Sequence, residues 1–287
     1  MDGIVLVNKP KGYTSRDIVN IIIKKLGTKK VGHTGTLDPL AEGVLVLCVG
    51  KATKLVQLLS SNTKEYIAGI TLGTLTDTLD IEGNILKEEK VNINKEDIIK
   101  ALESLKGKYI QEVPIYSAVK VNGKKLYEYA REGINVELPK REVEIFNIEL
   151  IDDIKYENNK VMFNIKCKVS KGTYIRALAN DIAKRLNTIG IMNSLVRIKQ
   201  GNISIDLCQK LEEINDNNYV ILPIDYILKD YYEVKMDDKL YFKIKNGVSI
   251  KNIYNKDFIK FTYNNKVIAL YKNVNNDFKC YIMLNYS

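Results

Sequence analysis

Residues 32–43, Gly-His-Thr-Gly-Thr-Leu-Asp-Pro-Leu-Ala-Glu-Gly, run without a break into Val44-Leu45-Val46-Leu47-Cys48-Val49. An uninterrupted apolar run of that length predicts a central strand. The twelve residues before it hold three glycines, the chain's only histidine and the step Asp38-Pro39. Glycine tolerates a positive φ and a close approach of backbone to ligand, and proline pushes the residue before it toward extended or turning backbone. The chain must therefore carry Asp38 on a tight loop that a buried strand anchors. That is how folds display a nucleophile or a general base. Taken alone, an Asp-Pro step is more often an Asx-type turn closing a loop; the rest of the chain weighs against that here.

Residues 4–10 read as a strand. Thr14-Ser15-Arg16-Asp17 reads as a capping box opening a helix to Leu26, with Gly27 as its stop. Residues 52–59 read as helical. Tyr66, Ala68, Ile70 and Leu72 alternate with their neighbours, which predicts a half-buried strand showing Tyr66 near its start. Asn94 caps a helix through Leu105, ended by Gly107, and Asn122-Gly123 signals a tight hairpin. Residues 141–154 and 160–169 read as paired strands. Ser170 to Thr173 then turn the chain into a helix over 174–186, with Tyr174 and Arg176 in its first turn. Another strand follows near 192–198, and a polar stretch over 209–219 leads to Pro223. Beyond Leu228, short strands between Asn-rich turns predict a small all-β module. The expected division is 1–228 and 229–287.

Several of these segments resemble the signatures of the TruB family, the tRNA pseudouridine synthases acting on uridine 55 of the T-loop. The Asp38 loop is similar to the family's G-H-x-G-x-L-D-P. Lys9-Pro10 with Gly12 and Ser15 resembles its opening K-P-x-G-x-[ST]-S, and Lys64-Glu65-Tyr66 its K-x-Y. Thr76-Asp77-Thr78 with Asp80 and Gly83 resembles T-D-T-x-D-x-x-G. Pro114-Ile115-Tyr116-Ser117-Ala118-Val119-Lys120, continuing through Gly123, Tyr127, Ala130 and Arg131, and Ser170-Lys171-Gly172-Thr173-Tyr174-Ile175-Arg176 complete the series in the family's order. Two departures stand out: Leu79 where a small residue is commoner, and a single Pro114 where a pair is frequent.

The resemblance implies an α+β fold, with a mixed, largely antiparallel central sheet flanked by helices (the pseudouridine synthase fold). It also implies a small PUA-like all-β domain at the C-terminus. It makes Asp38 the catalytic carboxylate, Arg176 its cationic partner, and Tyr66 a stacking residue whose hydroxyl is a candidate for removing the C5 proton. Tyr174 is the second stacking position, Leu195 lines the uracil pocket, and His33 and Lys9 contact RNA. A guanidinium suits Asp38 because it stays charged and grips a carboxylate with two parallel hydrogen bonds. The reaction breaks the N1–C1′ bond, turns the uracil and rejoins it through C5. Nothing is oxidised or hydrolysed overall, so no cofactor and no metal is expected.

Charge agrees with an RNA partner. The net charge is +9, and residues 229–287 hold 11 Lys/Arg against 6 Asp/Glu, a balance of +5. The expected partner is tRNA, held by its T-arm and, through the C-terminal module, by its acceptor stem; a monomer is expected. Cys48, Cys167, Cys208 and Cys280 lie far apart with no C-x-x-C pair, which argues against a zinc site or a disulfide framework. The longest apolar run is too short to cross a bilayer, and no signal peptide is recognisable at the start, so a cytoplasmic protein is expected. Two other readings remain at this point. One is a guide-dependent relative that modifies ribosomal RNA; the other is an RNA-binding or tRNA-folding chaperone without catalysis.

Overall fold

The computed structural model describes residues 1–214 and 218–284. The last three residues of the expected 229–287 module, and part of the polar stretch over 209–219, lie outside the described residues. Of the eleven strands of the main sheet among the described residues, eight matter here: β1 (Gly3–Lys9), β2 (Val31–His33), β3 (Glu42–Val49), β4 (Lys64–Leu72), β5 (Gly107–Glu112), β6 (Lys140–Leu150), β7 (Lys160–Val169) and β8 (Gly190–Gln200). Its continuous path starts at Gln209–Lys210 and runs β1-β3-β8-β4-β7-β6-β5, with β2 pairing off β3. Only the first contact of that path and β3 with β8 are parallel. The sheet is thus mixed and largely antiparallel.

The apolar run of β3 has a direct physical cause. Val44, Val46 and Cys48 point into one buried cluster, while Leu45, Leu47 and Val49 point into another. A strand covered on both faces needs apolar side chains at every position. Helix α1 (Ser15–Leu26) covers one face through Ile18, Val19 and Ile22. Its start is the expected capping box between Thr14 and Asp17, and Gly27 closes it at φ 61°. Over the other half of the sheet lie α2 (Lys95–Glu103) and α4 (Ile175–Arg185), and Leu178 and Ile182 of α4 join Ile70, Ile165 and Leu195 in one cluster. Asn94 caps α2 as expected, but the helix ends before Gly107, which instead opens β5 at φ 94°. The Asn122-Gly123 hairpin joins Lys120–Val121 to Lys124–Lys125, with both turn residues at positive φ. It leads into the short α3 (Leu126–Glu132).

A second sheet holds β9 (Tyr232–Lys235), β10 (Phe258–Tyr263), β11 (Lys266–Val274) and β12 (Asp277–Met283), with Ile250–Lys251 at its edge. The all-β expectation for this region needs correcting in one place. Residues Asp238–Lys245 form a helix, α5, because the Asp237 carboxylate caps the Leu240 N–H and Leu240 and Ile244 turn inward. This second sheet covers the face of β1 and β3 opposite α1. Val267, Leu270, Ile282 and Leu284 share a core with Ile4, Leu6, Val44 and Val46. Lys260, nearly buried, pairs with Asp225 at 2.9 Å and Glu233 at 3.5 Å, so part of the module's positive charge is spent inside the fold. Among the described residues no helix is long and apolar enough to cross a membrane.

Candidate active site

Three residues of one short segment, Lys9, Gly12 and Ser15, fix the Asp38 loop before any substrate arrives. The Ser15 hydroxyl accepts from the Leu37 N–H at 2.8 Å and donates back to the Leu37 carbonyl at 3.2 Å. The Gly12 N–H donates to the Pro39 carbonyl at 2.9 Å. From below, the Lys9 ammonium donates to the carbonyls of Pro10, Tyr13 and, at 3.5 Å, Pro39. Lys9 is fully buried, and burial pulls its pKa down to about 8. The expectation that it touches RNA is therefore corrected: three carbonyls occupy its ammonium under the loop.

Asp38 itself serves both readings of its sequence. Its carbonyl accepts from the Ala41 N–H and closes a turn, which leaves the carboxylate free to face Arg176. Arg176 Nε lies 3.0 Å from Asp38 Oδ2 and 3.7 Å from Asp80 Oδ2. The side chain of Asp38 is 38% exposed, against 6% for Arg176 and 8% for Asp80. Asp38 thus opens toward solvent from a buried cation. The expected two-bond grip on Asp38 is not what forms. Arg176 Nη1 donates to the Thr78 carbonyl at 2.9 Å and Nη2 to the Tyr116 carbonyl at 3.0 Å, and Nε is the atom that faces the two carboxylates. Asp80, the residue sequence reasoning passed over, is held in turn by the Thr78 hydroxyl and the Glu82 N–H. Its place at the end of Thr76-Asp77-Thr78-Leu79-Asp80 was the available signal. Leu79 sits at φ 62°, a left-handed backbone that a small residue adopts more easily.

A cavity of about 610 Å³ opens beside Asp38, and its walls include Tyr66, Tyr174, Arg176, Leu195 and Arg197. That size suits a nucleotide. Tyr66 is nearly buried, and burial raises its phenol above the usual range while the Arg197 cation opposes the rise. Tyr174 is the cap residue of α4, not a member of its first turn. The Gln111 side chain holds it there, accepting from its N–H at 2.8 Å and donating to its carbonyl at 3.2 Å. Arg141 lies over its ring at 5.9 Å. His33 stands apart from the cavity wall on β2, half-buried, with Nδ1 enclosed and unpartnered. Burial, helped by the Arg16 and Arg197 cations, holds its pKa below the ordinary value.

At the far end of the loop, Gly43 has φ 100°, and a Cβ there would lie 2.2 Å from the Arg197 carbonyl oxygen. Alanine at Gly43 must therefore push β3 away from β8. Gly43→Ala is expected to cost more than about 1 kcal/mol of stability, seen as a lower melting temperature. An unchanged melt would show that the two strands open there freely.

Residues 24–175 match the TruB family pseudouridylate synthase (N terminal domain). The chain is 40% identical to the tRNA pseudouridine synthase B of Lactobacillus acidophilus, over 99% of this chain and 98% of that one. It is 43% identical to the protein of the same name in Clostridium kluyveri, over 94% and 92%. The chain belongs to the TruB family. Among solved structures, the TruB-family fold seen here is similar to that in "Structure of H/ACA RNP bound to a substrate RNA containing 2'-deoxyuridine". The TM-score there is 0.72 at 21% identity, covering 99% of this chain and 85% of that one. It is also similar to "Crystal Structure of a Cbf5-Nop10-Gar1 Complex", with a TM-score of 0.69 at 24% identity, covering 95% and 78%.

Proposed function

We propose that this enzyme converts uridine 55 in the T-loop of tRNA to pseudouridine, with Asp38 as the essential carboxylate. The observation that carries the reading is the position of Asp38, half-open at the mouth of a nucleotide-sized cavity and set against the buried Arg176. A uridine stacked in a T-loop must be flipped out to enter that cavity, at a cost of a few kcal/mol. Stacking on Tyr66 and Tyr174 offsets the cost, and Leu195 closes the apolar side. Asp38 then supplies negative charge beside the sugar and base while the N1–C1′ bond breaks. After the uracil turns and C5 bonds to C1′, the C5 proton must leave, and in this reading the Tyr66 hydroxyl on the cavity wall relays it, taking that proton as it hands its own to water in the cavity. In this reading His33, on the strand entering the loop, contacts RNA outside the cavity. Lys9 acts through the loop it supports.

The curated relatives align over nearly their whole length under the name tRNA pseudouridine synthase B, which favours tRNA over guide-directed ribosomal RNA. A chaperone without catalysis would have no use for a carboxylate facing an incoming polyanion. The enzyme acts as a cytoplasmic monomer in this reading, with residues 1–228 as the catalytic unit and 229–287 as a PUA-like RNA contact. The test is incubation with an unmodified tRNA transcript followed by chemical mapping of pseudouridine. Modification at position 55 alone supports the proposal; modification elsewhere, or none, contradicts it.

The C-terminal contact has its own support. On α5, Phe242 is 62% exposed, and the Lys245 ammonium lies 4.6 Å from its ring centre. An exposed aromatic with lysines around it suits a nucleic acid surface. Deleting the module would uncover the core it shares with β1 and β3, so substitution is the cleaner probe. Phe242→Ala with Lys245→Glu is expected to weaken binding of full-length tRNA. For every phosphate that the variant no longer neutralises, the salt slope of log affinity should fall by roughly 0.7–0.9. A short T-stem-loop, which lacks the acceptor stem, should bind the variant as well as the wild type does. Equal salt slopes on full-length tRNA would remove this surface from the RNA contact.

A further inference from the structure

Beyond the Asp38–Arg176–Asp80 set, β8 buries a second guanidinium. Arg197 is 1% exposed, and among the described residues it pairs with no carboxylate. Its Nε donates to the Val44 carbonyl at 2.7 Å and its Nη2 to the Gly35 carbonyl at 3.1 Å. Burying a cation without an anion is unfavourable, so the fold keeps this one for its geometry. Gly35 and Val44 stand on the two arms of the loop that carries Asp38, and one planar fork ties both. In the sheet, Arg197 pairs with Tyr66 of β4 on one side and with Gly43 of β3 on the other.

Gln200 works beside it. In a regular strand, residues 197 and 200 would face opposite ways. The pairing of β8 with β4 shifts register between Arg197 and Lys199, and such a bulge re-aims side chains. Both Arg197 and Gln200 are buried as a result. Gln200 Nε2 donates to the Thr34 hydroxyl at 2.6 Å and to the Leu59 carbonyl at 3.2 Å. We propose that Arg197, seconded by Gln200, is a positioning residue of the isomerisation: the bulged end of β8 sets the Asp38 loop against Tyr66 before RNA binds.

The inference rests on the proposed isomerisation, and wild-type turnover of the same tRNA transcript separates failure of one from failure of the other. Arg197→Lys keeps the charge, but a single ammonium cannot bridge both arms. After a cooperative melt is confirmed, its single-turnover rate on saturating tRNA should fall about 100-fold, the scale of a misplaced reacting group. Affinity for tRNA should stay within about threefold, because the guanidinium is 1% exposed and its hydrogen bonds go to the Val44 and Gly35 carbonyls. Gln200→Met should show the same split to a smaller degree. Arg197→Ala, where it melts cooperatively, should recover rate on addition of guanidinium ion. A wild-type single-turnover rate in folded Arg197→Lys overturns the proposal. So does a loss of affinity as large as the loss of rate, which would make Arg197 an RNA contact. A folded Arg197→Ala that guanidinium leaves unrescued also counts against it.

Discussion

Asp38→Asn is expected to abolish pseudouridine formation, with a rate loss of at least roughly 10⁴-fold, the scale seen when a charged catalytic group is neutralised. Affinity for tRNA should stay within a few fold of wild type. The replacement keeps the shape of the side chain, and the loop does not depend on its charge. Ser15, Gly12, Lys9 and the Ala41 N–H all hold backbone atoms of residues 37–39. What disappears is the negative charge and the nucleophilic oxygen at the cavity mouth. The loss should therefore fall on turnover alone. A variant that turns over at more than a trace, with wild-type contamination excluded, would take Asp38 out of the chemistry.

Arg176→Lys should be nearly as damaging although it conserves charge. Arg176 serves four groups at once: the carbonyls of Thr78 and Tyr116, and the carboxylates of Asp38 and Asp80. These lie on different segments, so the guanidinium also joins the Thr76–Asp80 loop and the Tyr116 segment to the Asp38 loop. A lysine ammonium has three donors on one atom and cannot reach across this set. We expect a loss of about 10²–10³-fold in single-turnover rate, as for removal of one oriented donor from a catalytic site. Because Arg176 and Asp80 are both buried, the melting temperature should also drop. A rate near wild type would show that charge alone suffices and that the fork has no part in orienting Asp38.

What was legible in the sequence was what depends on neighbours in the chain. The capping box of α1, the Asn122-Gly123 turn and the doubly covered strand β3 each follow from a few adjacent residues. Asp38, Tyr66 and Arg176 could be picked out because short motifs carry them, and the fold brings all three to one cavity. The misreadings share a cause. Lys9 was expected to contact RNA, yet its partners are the carbonyls of Pro10, Tyr13 and Pro39, which only the folded loop gathers. The expected two-bond grip of Arg176 failed because two distant carbonyls compete for the same fork. Helix α5 was hidden by the Asn-rich turns around it, although Asp237 with Leu240 and Ile244 was a readable cap and stripe. Arg197, an arginine on the inward side of an apolar strand two residues after Leu195, was a signal that went unused.

The most direct test of the central claim follows the hydrogen that leaves C5. Full-length tRNA transcribed with uridine tritiated at C5 should release one tritium per molecule to water when incubated with the wild-type enzyme. Release should then stop, and a transcript carrying cytidine at position 55 should release none. Asp38→Asn should bind the labelled tRNA and free no tritium. Tight binding without release by the wild type, or release that persists when position 55 is cytidine, would contradict the assignment of Asp38 to the isomerisation of uridine 55.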